Sequence, residues 1–98
     1  MAQNEQETFY WHDYETWGAN PLVDRPAQFA GLRTDTDFNV IGRPLTLYAQ
    51  PTPDFLPNPE ATLITGITPQ LAAKQGVGEA EFSKAIANEF QKPNTTII

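Results

Sequence analysis

Asp13 and Glu15 are the residues whose types and spacing most readily support chemistry in this sequence. They lie two positions apart in an aromatic, β-prone segment, residues 8–16. Because alternate residues of a strand point to the same face, both carboxylates project together, on the side of Phe9 and Trp11. Two carboxylates on one face repel each other unless a cation lies between them, and oxygen ligands suit Mg²⁺ or Mn²⁺. The spacing therefore predicts a metal site, and the alternative is a solvated turn at a strand end.

The aromatic residues around this pair receive structural interpretations. His12, the single histidine, falls on the opposite face of the predicted strand together with Tyr14. It is therefore expected to pack or to be partly exposed, and not to act as a general base. Trp11 and Trp17 could stack on nucleobases, although packing in the core or in a loop is the favoured role.

Composition limits the class of protein. The chain has 98 residues, 40% of them hydrophobic, which is typical of one small globular domain or part of a larger one. A net charge of −6 argues against a free-standing nucleic-acid binder. The lack of cysteine excludes disulfides and thiolate zinc sites and favours a reducing compartment, so the cytoplasm is the expected location. The polar start is not a signal peptide, and no apolar run reaches the ~20 residues of a membrane span.

The elements that must position the carboxylates are predicted from the pattern of apolar residues and from the turn and capping residues between them. The sequence predicts a disordered lead-in (1–7), strands at 8–15 and 28–34, and a segment 38–42 that leads into a strand at 45–49. After these it predicts a proline-rich loop (50–62), a small apolar cluster (63–67), a short helix between Thr68 and Gly76, a helix at 79–91 and a strand at 95–98. Short connections favour antiparallel neighbours, and a right-handed crossover favours a parallel last strand. The predicted class is α/β, with three antiparallel strands, a crossover helix and the start of a parallel fourth strand.

Several segments together resemble a known family. Residues 12–18, His-Asp-Tyr-Glu-Thr-Trp-Gly, resemble the first motif of the DEDD (DnaQ-like) 3′–5′ exonucleases, in which Asp-x-Glu-Thr ends the first strand. Segments 24–30, 33–35, 38–42 and 63–70 are similar, in the same order, to the bacterial exonuclease I family. The resemblance implies a ribonuclease H-like mixed sheet.

The same resemblance implies a function. It is the removal of 5′-mononucleotides from the 3′ end of single-stranded DNA, in DNA repair and recombination, with two Mg²⁺ ions that Mn²⁺ can replace. Asp13 and Glu15 would be catalytic metal ligands. Glu15, Thr16 and the segment Ile64-Thr65-Gly66 would bind substrate. The C-terminal tail of the single-strand-binding protein is the implied protein partner, and no membrane is involved.

The chain departs from the family pattern in what it lacks. A DEDD site needs two further aspartates and a histidine or tyrosine, in motifs that the family places after a strand like the one beginning at Thr95. Residues 8–98 are therefore expected to be the N-terminal part of an exonuclease domain, inactive alone. Two alternatives stay open. One is a non-catalytic interaction module that uses the proline-rich loop with Trp11 and Trp17, and the other is a DEDD enzyme acting on RNA, because sugar discrimination depends on contacts to the 2′ position.

Overall fold

The described part of the chain folds as a four-stranded mixed sheet with three helices. A computed structural model describes residues 6–20, 24–52 and 57–98. The elements are β1 (Thr8–Thr16), β2 (Pro26–Asp35), β3 (Val40–Tyr48), α1 (Pro59–Thr65), α2 (Pro69–Gln75), α3 (Glu79–Phe90) and β4 (Thr95–Ile97). The strand order is β3-β2-β1-β4, antiparallel except for the parallel pair of β1 and β4. The predicted α/β class and strand pairing are therefore confirmed. Most of the predicted lead-in lies outside the described residues.

The main core forms between one face of the sheet and α3. Tyr10 of β1, Phe29 of β2 and Ala49 after β3 are buried with Phe82 and Ile86 of α3. Phe82 and Ile86 thus lie on the face of α3 that packs on the sheet, and Phe90 packs against the same cluster. Strand alternation turns the next residues of β1 to the opposite face, where Trp11 is exposed.

A second, smaller core lies beyond the carboxyl end of β1. It contains the buried residues Trp17, Ala27, Ile67 and Ala72. Ala72 comes from α2, which begins as predicted, with Thr68 Oγ1 accepting a hydrogen bond from Leu71 N at 3.0 Å. This core joins the loops at one end of the sheet to α2. It also gives Trp17 the packing role that the sequence favours.

The predicted proline-rich loop is too long, because α1 begins within it. Asn58 Oδ1 accepts a hydrogen bond from Glu60 N at 2.9 Å, Pro59 occupies the first turn, and Gly66 ends the helix in the left-handed region with φ 77°. The predicted apolar cluster at 63–67 is therefore wrong: residues 63–65 form the last turn of α1, Gly66 is its cap, Leu63 is 85% exposed, and Ile67, after the cap, is buried. Residues 53–56 of the predicted loop lie outside the described part of the chain.

The third strand also differs from its prediction. β3 is one strand, and the segment before it is a turn in which Phe38 has φ 68°. Asp35 stabilises this turn, since its carboxylate accepts hydrogen bonds from the backbone of Asp37 and from the backbone and side chain of Asn39. These bonds lower the pKa of Asp35 below its ordinary value of 3.8. The pairing of β2 with β3 shifts register between Gly31 and Arg33, opposite the part of β3 that contains Gly42 and Pro44.

Within the described ranges, no helix is long and apolar enough to span a membrane.

Candidate active site

Asp13 and Glu15 lie on the carboxyl half of β1, opposite Ala30 and Gln28 of β2. Asp13 is exposed and Glu15 is half-buried. Neither carboxylate forms an ion pair or a side-chain hydrogen bond within the described ranges. Both are therefore free to accept a cation on the face that they share.

The described part of the chain gives this pair no third acidic or histidine ligand. Among the residues that the structure describes, no group of three or more histidine, aspartate or glutamate side chains could hold a metal ion. Two carboxylates and open solvent suit an ion that keeps waters and takes further oxygen ligands from elsewhere. The donor set therefore fits a hard divalent cation, held by half of the ligands that a closed site would use.

His12 is on the opposite face, as strand alternation predicts. Its ring stacks on Phe29 at a centroid distance of 6.0 Å and meets Phe90 edge-on at 5.2 Å. Its Nδ1 lies 2.9 Å from the carbonyl oxygen of Ile98, so the tautomer that donates from Nδ1 fits this contact. These contacts make His12 a packing residue between β1, α3 and the end of β4.

A cleft of about 250 Å³ brings together four of the predicted site residues. Glu15 and Thr16 line it from β1, and Ile64 and Thr65 line it from the last turn of α1. Asp13 lines a separate depression on the sheet, beside Trp11 and Thr46.

Not every predicted site residue lines the cleft wall. Gly66 caps α1 next to the cleft without lining it. The Thr16 hydroxyl donates a hydrogen bond to the Gly18 carbonyl at 2.6 Å, which holds the chain as it leaves β1.

The cleft also contains residues that the sequence reasoning missed. Asn58, Glu60 and Ala61 line it because they belong to the amino-terminal turn of α1, and Gly18 and Ala19 follow β1. The signal was present in the sequence: Asn58-Pro59 before the helix and Gly66 after it are the same capping pattern that predicted α2. The prolines of residues 50–62 favoured the prediction of a loop over the prediction of this helix.

Backbone bonds and the second core join the two walls of the cleft. Asn58 N donates to the carbonyl of Trp17 at 3.0 Å, which ties the start of α1 to the end of β1. Trp17, only 1% exposed, packs with Ile67 just after α1. Ile67 N in turn donates to Thr65 Oγ1 at 3.1 Å. Trp17 and Ile67 thus set the distance between the β1 wall and the α1 wall.

The chemistry of the cleft is acidic and partly apolar. Glu15 and Glu60 carry negative charge, while Ile64, Ala61 and Tyr14 offer apolar surface. Partial burial raises the pKa of Tyr14 above its ordinary 10.0, so the phenol is neutral near pH 7. No lysine or arginine lines the cleft in the described part of the chain. An anionic phosphate could therefore approach Glu15 only with a cation between them.

Comparison with known proteins identifies similar sequences. A sequence model of a family described as exonuclease matches residues 10–96. Exodeoxyribonuclease I of Escherichia coli is 54% identical over 94 residues, which are 96% of this chain and 20% of that protein. The chain spans about a fifth of the length of the curated relatives it matches.

Solved structures give the same result. The structure of E. coli exonuclease I in complex with a 5cy-dT13 oligonucleotide superposes with a TM-score of 0.91 at 55% identity, over 94% of this chain and 20% of that one. A structure described as an ExoI/SSB-Ct complex gives the same TM-score of 0.91, identity of 55% and coverage of 94% and 20%. The mixed sheet and helices described above thus match the fold of these proteins.

Proposed function

Because the chain belongs to the exonuclease family, we propose that it supplies half of the active site of a 3′–5′ exodeoxyribonuclease acting on single-stranded DNA. The observation that supports this most directly is the placement of Asp13 and Glu15. They share one face of β1, they have no partner in the described residues, and Glu15 opens into the cleft that Ile64 and Thr65 line. The proposed products are 5′-mononucleotides, and the proposed role is in DNA repair and recombination.

Charge explains why this site would need a cation. Asp13 and Glu15 would repel the phosphate of a nucleotide, and the cleft lining offers no basic side chain in the described residues to offset that repulsion. Two Mg²⁺ ions, when bound, would supply positive charge to both the attacking and the leaving oxygen of the phosphodiester. Mn²⁺, which takes the same oxygen ligands, is the proposed replacement.

The cleft would hold the 3′-terminal nucleotide. Ile64 is 84% exposed and offers an apolar surface to a base, while Thr65 and Thr16 offer hydroxyl groups beside it. Gly66, in the left-handed region, ends α1 next to these residues and keeps the helix from extending past the cleft. We therefore assign substrate binding to Glu15, Thr16, Ile64, Thr65 and Gly66.

The metal half-site is tested by Mn²⁺ titration. Paramagnetic broadening of amide signals should centre on Asp13 and Glu15 in the wild-type chain and should disappear in Asp13→Ala and Glu15→Ala. Asp37→Ala is a matched control, because Asp37 is an exposed carboxylate in the turn between β2 and β3. Broadening that survives both substitutions would contradict the proposed site.

The catalytic role is tested in a chimera. Residues 8–98 replace the matching segment of E. coli exonuclease I, and release of mononucleotides from labelled single strands is followed with Mg²⁺. We expect the chimera to be active, and Asp13→Asn or Glu15→Gln to reduce its rate at least about a hundredfold. The 98-residue chain alone should show no robust hydrolysis. Robust activity of that chain, lost in Asp13→Ala, would show that the half-site is complete.

The alternatives make different predictions. An interaction module built on both tryptophans does not agree with the burial of Trp17, although it could still use Trp11. It predicts no Mn²⁺ binding and tight binding to a partner. An enzyme acting on RNA predicts a chimera that prefers ribo-oligonucleotides. The tail of the single-strand-binding protein is the proposed partner, and a cytoplasmic location follows from the proposed DNA substrate.

A further inference from the structure

We infer that Arg33 is a positioning residue: it fixes the register of β4 along β1 and so keeps the end of β4 beside the strand that carries Asp13 and Glu15. The inference deepens the proposed function, on which its purpose rests. The register itself is a property of the fold and can be measured separately.

The guanidinium of Arg33, which belongs to β2, forms hydrogen bonds to β1, β4 and α3. Arg33 is 8% exposed. Its Nη1 donates to Thr8 Oγ1 of β1 at 2.7 Å and to Thr95 Oγ1 of β4 at 2.8 Å. Its Nη2 donates to the Glu89 carbonyl near the end of α3 at 2.7 Å. Each of these bonds has a charged donor, the stronger class of protein hydrogen bond.

The contact to Thr95 is sensitive to register. Thr95 is the first residue of β4 and pairs with Thr8. A slip by one residue would turn the Thr95 hydroxyl to the other face of the sheet, and a slip by two would move it roughly 6.6 Å along the strand. A slip by two residues, or by one that brings Asn94 opposite Thr8, would leave Nη1 without a threonine hydroxyl, whereas a slip by one in the other direction would place the Thr96 hydroxyl there.

The register determines what lies beside the carboxylates. From Thr95 the pairing continues to Ile98, whose N donates to the Tyr10 carbonyl at 2.9 Å and whose carbonyl accepts from His12 N at 3.1 Å. The described pairing thus reaches His12, the residue before Asp13. The carboxyl ends of parallel strands are where sheets of this kind bind ligands. Arg33 thus lies at the amino end of β1, and through the register of β4 it affects how the two strands align at the carboxyl end.

Burial of this charge is costly, so we assign it a role in selecting one arrangement of the strands and not in adding stability. A buried ion with its partners is seldom more stable than well-packed apolar residues of the same volume, whereas it can select one arrangement. The Glu89 carboxylate lies 3.3 Å from Nη2, and the guanidinium carbon lies 4.9 Å from the Tyr10 ring centroid, so the charge is matched and packed.

Residue-resolved amide exchange of the chain tests the inference. Arg33→Met should accelerate exchange of the His12 and Ile98 amides at least about tenfold relative to Ala49 N, which donates to Ala27 O. Arg33→Lys should give an intermediate change, since an ammonium keeps the charge but not the fork. Arg25→Met is the matched control: Arg25 contacts Glu79 of the same helix at 2.8 Å but is exposed, and the ratio should not change.

A milder variant covers the case in which Arg33→Met does not fold. Thr95→Val removes one acceptor while the arginine stays, and it should accelerate the His12 and Ile98 amides selectively. Uniform acceleration at all three amides, or none, overturns the inference.

The effect of Arg33 on the proposed metal site is measured separately, by Mn²⁺ affinity. The dissociation constant of Mn²⁺ should rise at least about threefold in Arg33→Lys, as expected for loss of part of the supporting structure, and stay constant in Arg25→Met. Selective opening with unchanged Mn²⁺ affinity overturns the positioning role. A wild-type chain that binds no Mn²⁺ overturns the proposed function and leaves the register result intact.

Discussion

The two halves of β1 have different environments. In the amino half, Thr8 and Tyr10 are buried and pair with β2 on one side and β4 on the other. In the carboxyl half, Asp13 is exposed and β2 is the only strand described beside it. One strand therefore stabilises the fold at one end and, at the other, presents carboxylates that have no side-chain partner among the described residues. The difference shows how two like charges can be held in fixed positions at little cost: they stay hydrated while the first half of the strand anchors them.

The largest expected effect comes from two tyrosines on the same face of β1. Tyr10 is 2% exposed and Tyr14 is 41% exposed. Tyr10→Ala should reduce the free energy of unfolding by about 3–5 kcal/mol, because it leaves a cavity in the main core. Tyr14→Ala should cost about 1 kcal/mol. Urea unfolding at pH 7 measures both, and equal losses would contradict the contrast between the two halves.

A second pair extends the contrast to the far wall of the cleft. Ile67 is buried with Trp17, whereas Ile64 projects into solvent. Ile67→Ala should cost about 2–4 kcal/mol. Ile64→Ala should change stability by no more than about 0.5 kcal/mol and, in the chimera, should raise KM more than it lowers kcat. A large stability loss in Ile64→Ala would mean that this residue packs instead of lining an open cleft.

The smallest expected effect is on the pH dependence of stability and concerns a carboxylate beside the buried amino half of β1. Asp35 pairs with Thr8 at the amino end of β1, and its pKa is below the ordinary 3.8 because Asn39 and Asp37 donate to its carboxylate. A lowered folded pKa means that this contribution is fully present above the unfolded pKa and is lost as pH falls through the folded one. The stability difference between wild type and Asp35→Asn should therefore be constant above about pH 5 and shrink below pH 4. A difference that grows with acid would reverse the assigned sign.

Local chemistry was sufficient to predict much of this molecule. Alternation placed His12 away from the carboxylates, and the caps at Thr68 and Gly76 located α2, because these rules act within a few residues. The cleft could not be predicted in the same way. It depends on Trp17 meeting Ile67, and on Asn58 bonding to the end of β1, and no spacing in the sequence encodes contacts over such separations.

The error at α1 has a physical cause of a different kind. Proline is read as a loop former, yet at the first helical turn its missing N–H costs nothing and its fixed φ suits the helix. Pro59 occupies that position after Asn58. Glu60 and Ala61 were missed as cleft residues for this reason alone.

The irregular outer strand has a consequence for how copies of the chain behave together. β3 is an edge strand, and its middle contains Gly42 in the left-handed region, Arg43 and Pro44. Proline offers no amide hydrogen, and a charged, kinked edge presents no continuous row of donors and acceptors to a strand from another molecule. We therefore expect concentrated solutions of the chain to resist growth of intermolecular sheet along this side.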